Sequence, residues 1–151
     1  FFRNSDIYFM ANYAQTVNVI GAIKTSRTAA VLDTTGLVLK LYGNHFGTVP
    51  VLISGQTGKL DVSVALTNDR KAVTIAVVNP TGSSDRLTLD LGPVKTSGEG
   101  TKWTITGSDP MAANVPGSAP NVVLREEPFV SGPSGLEVGP YSIALYRLEL
   151  K

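Results

Sequence analysis

The sequence predicts a mainly β protein: an antiparallel, jelly-roll-like β-sandwich preceded by one helix. Three observations lead there. Short segments that alternate apolar and polar residues, such as LDVSVAL and RLTLDL, recur from Leu37 to the end of the chain. Glycines and prolines punctuate them at turn positions. Ahead of them lies FMANYAQTVNVIGAIKT, residues 9–25, which carries no charge until Lys24 and has the spacing of a helix.

The helix comes first. Asn4, Ser5 and Asp6 are residues whose short polar side chains cap the free N–H groups of a first turn, so the helix is expected from about Ile7. Ile7, Met10, Ala14 and Val17 fall on one stripe, and Tyr13, Val17 and Ile20 widen it. Gly21 supplies a C-terminal stop. A helix apolar over most of its circumference is made for burial. Residues 22–36 read as a connector ending in the Thr34-Thr35-Gly36 turn.

Strands follow. LVLKLY from Leu37 and VPVLI are expected to be the first two, separated at Gly43-Asn44. LDVSVAL from Leu60 and AVTIAVV from Ala72, joined by the polar turn TNDRK, read as a hairpin. RLTLDL from Arg86 and KWTIT from Lys102 alternate cleanly. The Pro-, Gly-, Ser- and Asn-rich region from Gly107 to Gly135 is expected to hold only short extended pieces, and SIALYRLEL from Ser142 is the terminal strand. No internal repeat is present.

The bulk properties narrow the function classes. A chain of 151 residues fits one ordinary domain. Its 17% charged residues fall below the roughly 25% of a typical soluble domain, which suits a piece with much of its surface against other protein. A net charge of +1, with no basic run, offers nothing to steer nucleic acid. The uncharged run Ile7–Ile23 approaches membrane-span length, but Asn12, Gln15, Thr16 and Asn18 are costly in hydrocarbon, so no membrane association is expected. No signal-peptide pattern is read at the start of the chain. The absence of cysteine removes disulfides, thiolate nucleophiles and sulfur-ligated metals. The compartment stays open, with the cytoplasm slightly favoured over secretion.

Catalytic chemistry is hard to find. His45 is the single histidine, no G-x-S-x-G elbow accompanies it, and it reads as a structural loop residue at a strand end. Glu126 and Glu127 are neighbours whose side chains would point to opposite faces of an extended segment. No phosphate-binding loop occurs, and no cofactor or metal site is expected. Trp103, Tyr141 and Tyr146 could form a sugar-stacking platform, but a lone Trp in an alternating segment reads better as core.

SDIYFMANYAQTVNVIGAIKT, followed by LVLKLYGNHFG, resembles glycoside hydrolase family 51, the α-L-arabinofuranosidases, over their C-terminal third. The carrying residues are Met10, Ala11, Asn12, Ala14, Gln15, Val17, Asn18 and Val19, then Lys40, Leu41, Tyr42, Asn44 and His45. AVVNPT, ANVPGSAPNVV and YSIALYRL are also similar to that family's sandwich domain. The resemblance implies that residues 1–33 hold the last helix and connector of a (β/α)8 catalytic barrel and that residues 34–151 form the C-terminal sandwich, whose sheet is normally completed by a strand from the N-terminus of the full enzyme. It implies a retaining hydrolase of terminal α-L-arabinofuranosyl units in arabinan, arabinoxylan or oligosaccharides, a homo-oligomer at full length. The two glutamates of such chemistry sit about 5–5.5 Å apart, and in the family they lie on barrel strands upstream, so no catalytic residue falls in this chain. One role carries over: Gln15 matches the glutamine that reaches the arabinose, with Asn12 and Asn18 structural. The partners implied are the rest of the enzyme and an arabinose-containing saccharide. The alternative is a non-catalytic carbohydrate-binding or structural sandwich module, which would not need the N-terminal helix.

Overall fold

The most regular alternation in the chain builds the centre of its sheet. A computed structural model describes residues 1–132 and 135–151. After a 3-10 turn at Phe2–Asn4, the elements in chain order are β1 (Ile23–Thr25), β2 (Ala30–Leu32), α1 (Thr34–His45), β3 (Val49–Val51), β4 (Asp61–Leu66), β5 (Ala72–Asn79), β6 (Asp85–Leu87), β7 (Thr96–Thr106), β8 (Val123–Val130), β9 (Leu136–Val138) and β10 (Ser142–Leu150). The main sheet is antiparallel, in the order β3-β4-β5-β10-β7-β8. β5 and β10 lie at its middle, aligned from Ser142 opposite Asn79 to Glu149 opposite Ala72. Their alternate residues serve two cores. Val73, Ile75, Val77, Ala144, Tyr146 and Leu148 face one side; Ala76 and Leu145 face the other, beside Trp103 and Ile105 of β7. Each large apolar side chain fully withdrawn from water there contributes about 1.5–3 kcal/mol.

The two faces are covered differently. On the Tyr146 side the second layer is the two-stranded sheet β6-β9, which inserts Leu136 and Val138. On the Trp103 side the cover is α1, through Leu37 and Leu41, with Val122 from the β7–β8 connection. The described residues are thus mainly β with antiparallel sheets and one α-helix, as expected. The β4–β5 hairpin and β10 also fall where the sequence placed them.

The helix does not. Residues 7–20, expected to be helical, contain no helix. Asn4 does not cap one; its carbonyl accepts from the N–H groups of Ile7 and Tyr8 in a local turn. The apolar side chains of this segment find no core within the chain: Phe9 is 96% exposed and Val19 81%. Without a surface to pack on, an amphipathic pattern does not stabilise a helix, and the polar groups bond locally instead.

The helix is LVLKLY, expected to be a strand. Asp33 caps it, its carboxylate accepting from the Thr34 N–H at 2.8 Å. Leu37 and Leu41, four residues apart, share its buried face, while Leu39 is 48% exposed. Leu-x-Leu-x-Leu satisfies a period of two as well as i, i+4 spacing, and the cap decides between them. Gly36 permits the contact with the connector: a Cβ there would lie 2.4 Å from the Ala22 carbonyl oxygen. The connector itself is no plain loop, because β1 and β2 form a hairpin within it.

Other expectations shift at sheet margins. β8, eight residues long, lies inside the region expected to hold only short pieces; Pro133 and Ser134 of that region lie outside the described residues. Its Arg125, Glu126, Glu127 and Pro128 do not look like a strand, yet at a sheet edge charges and proline are tolerated and discourage further pairing. β3, at the opposite edge, is three residues long and contains Pro50. RLTLDL keeps only its first two residues in β6, and β7 begins six residues before KWTIT.

Candidate functional site

Gln15 lies on the exposed loop that runs from Tyr8 to Ala22. The far end of this loop is well tied. Asn18 Oδ1 accepts from the Thr25 N–H at 2.8 Å, and its Nδ2 donates to the Thr25 hydroxyl at 2.9 Å. Ile23 N–H donates to the Thr16 carbonyl, and the Tyr13 hydroxyl donates to the Ile20 carbonyl at 2.7 Å. Lys24 bonds the Val19 carbonyl and pairs with Asp33 at 3.2 Å, connecting the loop to the cap of α1. Asn18 therefore does the structural work expected of it. Gln15 makes no side-chain hydrogen bond among the described residues, so its carboxamide is available as donor and acceptor. On the same loop the side chains of Phe9, Met10, Tyr13, Val17, Val19 and Ile20 are each exposed.

The carboxylates are mostly engaged in structure. Asp33 caps α1, Asp69 bonds Thr67 and Lys71 in the β4–β5 turn, and Asp90 bonds the Gly92 N–H. The bonds from the Thr67 hydroxyl, which contributes most, and the Lys71 N–H hold the Asp69 carboxyl below the usual carboxylate range. Glu127 pairs with Lys102, Glu137 with Arg86 and Glu149 with Arg147, while Arg3 binds Asp61. Among the described residues no three His, Asp or Glu side chains gather as a metal site would require. No helix of the described residues is long and apolar enough to cross a membrane.

Glu126 and Glu127 do point to opposite faces. Glu126 accepts from the Trp103 indole N–H at 2.8 Å on the α1 side, and Glu127 meets Lys102 on the other. Trp103 is 6% exposed, a core residue as expected. His45 is not a loop residue at a strand end: it is the last residue of α1, and its ring stacks on Trp103 with centroids 4.2 Å apart. Tyr146 is buried, its hydroxyl donating to the Glu137 carbonyl; burial pushes its phenol well above the usual range, with the Glu127 and Glu137 carboxylates adding to the shift. Trp103 and Tyr146 face opposite sides of the sheet and form no common platform with Tyr141.

A feature the sequence did not reveal lies beside the small sheet. A groove of about 550 Å³ opens between Val62, Val64, Val73 and Ile75 of the main sheet and Leu87 of β6 with Leu89, Leu91 and Val94 after it, and Leu52 and Ile53 also line it. Two strands cover a six-stranded sheet incompletely, and the groove is the uncovered part.

This lopsided sandwich, with its helix and open N-terminal loop, has counterparts. A family model described as the α-L-arabinofuranosidase C-terminal domain matches residues 1–142. The chain belongs to that family. Among solved structures it is similar to the arabinose-bound GH51 α-L-arabinofuranosidase MgGH51, with a TM-score of 0.87 and 21% identity over 99% of this chain and 25% of that one. It is also similar to the thermostable GH51 enzyme of Thermotoga petrophila RKU-1 (TM-score 0.78, 24% identity, 97% of this chain and 35% of that one). The α-L-arabinofuranosidase of Thermotoga maritima, in its arabinose complex, matches with a TM-score of 0.73 and 26% identity over 98% of this chain and 35% of that one. The chain thus spans between a quarter and about a third of the solved chains it matches. No curated protein matches it.

Proposed function

We propose that these residues are the C-terminal segment of a retaining α-L-arabinofuranosidase acting on terminal α-L-arabinofuranosyl units of arabinan, arabinoxylan or arabino-oligosaccharides. Residues 34–151 supply the sandwich, and residues 1–33 adjoin the catalytic barrel. The carrying observation is the exposed apolar surface of the N-terminal loop, from Phe9 at 96% through Ile20 at 62%. Large apolar side chains gathered on one exposed stretch mark a surface made to be covered, and the partner we assign is the rest of the enzyme. The groove beside β6 is where we place the upstream strand that completes the sandwich in the family. Gln15, carried on that same loop, takes the role of a sugar-binding residue at the pocket rim. The acid/base and nucleophile belong to the barrel, so the 151-residue chain alone is inactive.

The test uses an aryl arabinofuranoside. The full-length enzyme is expected to turn it over and the isolated chain to stay at the buffer rate. Gln15→Ala in the full-length enzyme is expected to lower kcat/KM about fivefold, the equivalent of about 1 kcal/mol for one hydrogen bond to a neutral hydroxyl, with Tm unchanged. A Tm drop with intact kinetics would make Gln15 structural only, and turnover by the repurified chain would overturn the assignment of the glutamates.

A further inference from the structure

At the end of the main sheet remote from the β4–β5 turn lies a second cleft, of about 340 Å³. Clefts that hold small ligands run from about 300 to 1,000 Å³, mostly apolar with a few polar groups. Val38 of α1, Ile105 of β7 and Ile143 of β10 line it. Of its polar side chains, Asn79, Thr106 and Ser142 donate to neighbouring carbonyls, which leaves Asp109, Thr34 and Tyr141 to meet a ligand. Its chemistry is selective. No Lys, Arg or His lines it, so nothing there favours a phosphate or a carboxylate. The Asp109 carboxylate is held in place by the Met111 N–H at 2.8 Å and the Ser108 hydroxyl at 3.0 Å. The Tyr141 and Thr34 hydroxyls have no hydrogen-bond partner among the described residues.

Tyr141 supplies the second, independent observation. Its φ is +43°, a backbone conformation that bulky residues rarely adopt and that concentrates at ligand clamps. A glycine would suit the position better if only the turn mattered. The strained residue is held by its own N–H, which donates to the Thr81 carbonyl at 2.9 Å, and its ring rests against Gly82, where a Cβ would lie 2.9 Å from the hydroxyl. The result is an aromatic ring, 39% exposed for the residue as a whole, fixed at the rim of an apolar cleft.

We propose that this cleft is a saccharide-binding site, in which one neutral sugar unit lays its C–H face on the Tyr141 ring and directs hydroxyls to Asp109 and Thr34. A ligand with an apolar face and a ring of hydroxyls fits an uncharged apolar floor with one carboxylate and two hydroxyls at its edge. The identity of the polymer, arabinoxylan, rests on the function proposed above.

The experiment is the electrophoretic retardation of the full-length enzyme in native gels cast with soluble arabinoxylan, with the Tyr141 variants run beside the wild type. The wild-type protein is expected to be retarded. Tyr141→Gly removes the ring while relieving the backbone, so it should fold, and its affinity is expected to fall about tenfold; Tyr141→Phe keeps the ring and should retain most of the binding. Wild-type migration unaffected by arabinoxylan, or equal retardation of wild type and Tyr141→Gly, would overturn the site. Turnover of the aryl arabinofuranoside by the same wild-type sample separates the two ideas: an active, unretarded enzyme sinks the cleft alone, whereas an inactive enzyme retarded through Tyr141 sinks the activity alone.

Discussion

Leu39 and Leu41 distinguish the two structures that LVLKLY could adopt. In a strand, Leu37, Leu39 and Leu41 would share one face, and all three truncations would be costly. In α1 they do not: Leu41 is 0% exposed and Leu39 48%. Leu41 packs in the cluster formed by Trp103, Ile105 and Leu145. Truncating such a residue removes buried methyl groups and leaves a cavity, a combined cost of about 3–5 kcal/mol. With denaturant slopes of about 1–3 kcal/mol/M in urea, a loss of 3 kcal/mol lowers the midpoint of Leu41→Ala by at least about 1 M. Leu39→Lys places a good helix former on an exposed position and should change stability by less than about 0.5 kcal/mol. Trp103, the only tryptophan in the chain, sits under α1 and reports the transition by fluorescence. The measurement compares both variants with the parent chain at one fixed protein concentration. A Leu39→Lys midpoint as low as that of Leu41→Ala would refute the helix and restore the strand.

Glycine replacements at an open position and at a close approach are expected to act in opposite directions. A Cβ at Gly43 in α1 meets nothing within 4 Å, so Gly43→Ala should stabilise the chain by about 1 kcal/mol in the same urea assay, whereas a Cβ at Gly100 would lie 1.9 Å from the Arg147 carbonyl oxygen, and Gly100→Ala should prevent normal pairing of β7 with β10. The Tyr146 phenol, held protonated in the fold by burial, fixes the sign of an alkaline response: its folded value is raised, so the folded state keeps a proton that the unfolded chain releases above about pH 10. Stability should therefore hold below that pH and decline as it rises further. Tyr146→Phe should lose the hydrogen bond to Glu137 at neutral pH and flatten the alkaline decline in a pH series of urea melts.

How much of this could be read from sequence depended on whether the deciding interaction was local. AVTIAVVN and SIALYRLEL announce themselves because both faces of a central strand are buried and almost every position is apolar or small. Trp103 as core and the opposed directions of Glu126 and Glu127 follow from the same two-residue period. LVLKLY was ambiguous because leucines at 37, 39 and 41 suit either period, and the signal that resolves it, Asp33 ahead of Thr34, lies in what read as a connector. The run from Ile7 to Ile20 misled for a different reason. Its composition records that it is to be covered, and composition does not say in which conformation. β8 was hidden because charges and Pro128, poor strand formers in the interior, are what an edge requires. The loop around Asn114 was equally unreadable: its buried amide bonds the Leu32 and Val122 carbonyls and accepts from the Val122 N–H, ties that join residues far apart in sequence. For the candidate site, Gln15 came from family resemblance alone, and neither the groove beside β6 nor the cleft at Tyr141 has any one-dimensional signature, since each is bounded by several separate segments.

β10 is the last strand of the main sheet to be synthesised, yet it occupies the middle of it, between β5 and β7. Until it is inserted, the polypeptide can hold only two separate pieces: a three-stranded meander of β3, β4 and β5, and a hairpin of β7 and β8. Each presents an open inner edge and half of an unfinished core. On a ribosome this sheet therefore cannot close strand by strand as it emerges; it must wait for residues 142–150 and then zip on both sides at once. A message truncated even a few codons within that strand would yield a protein missing not a frayed margin but the keystone of the sheet, and cellular proteases would meet it as two unjoined halves.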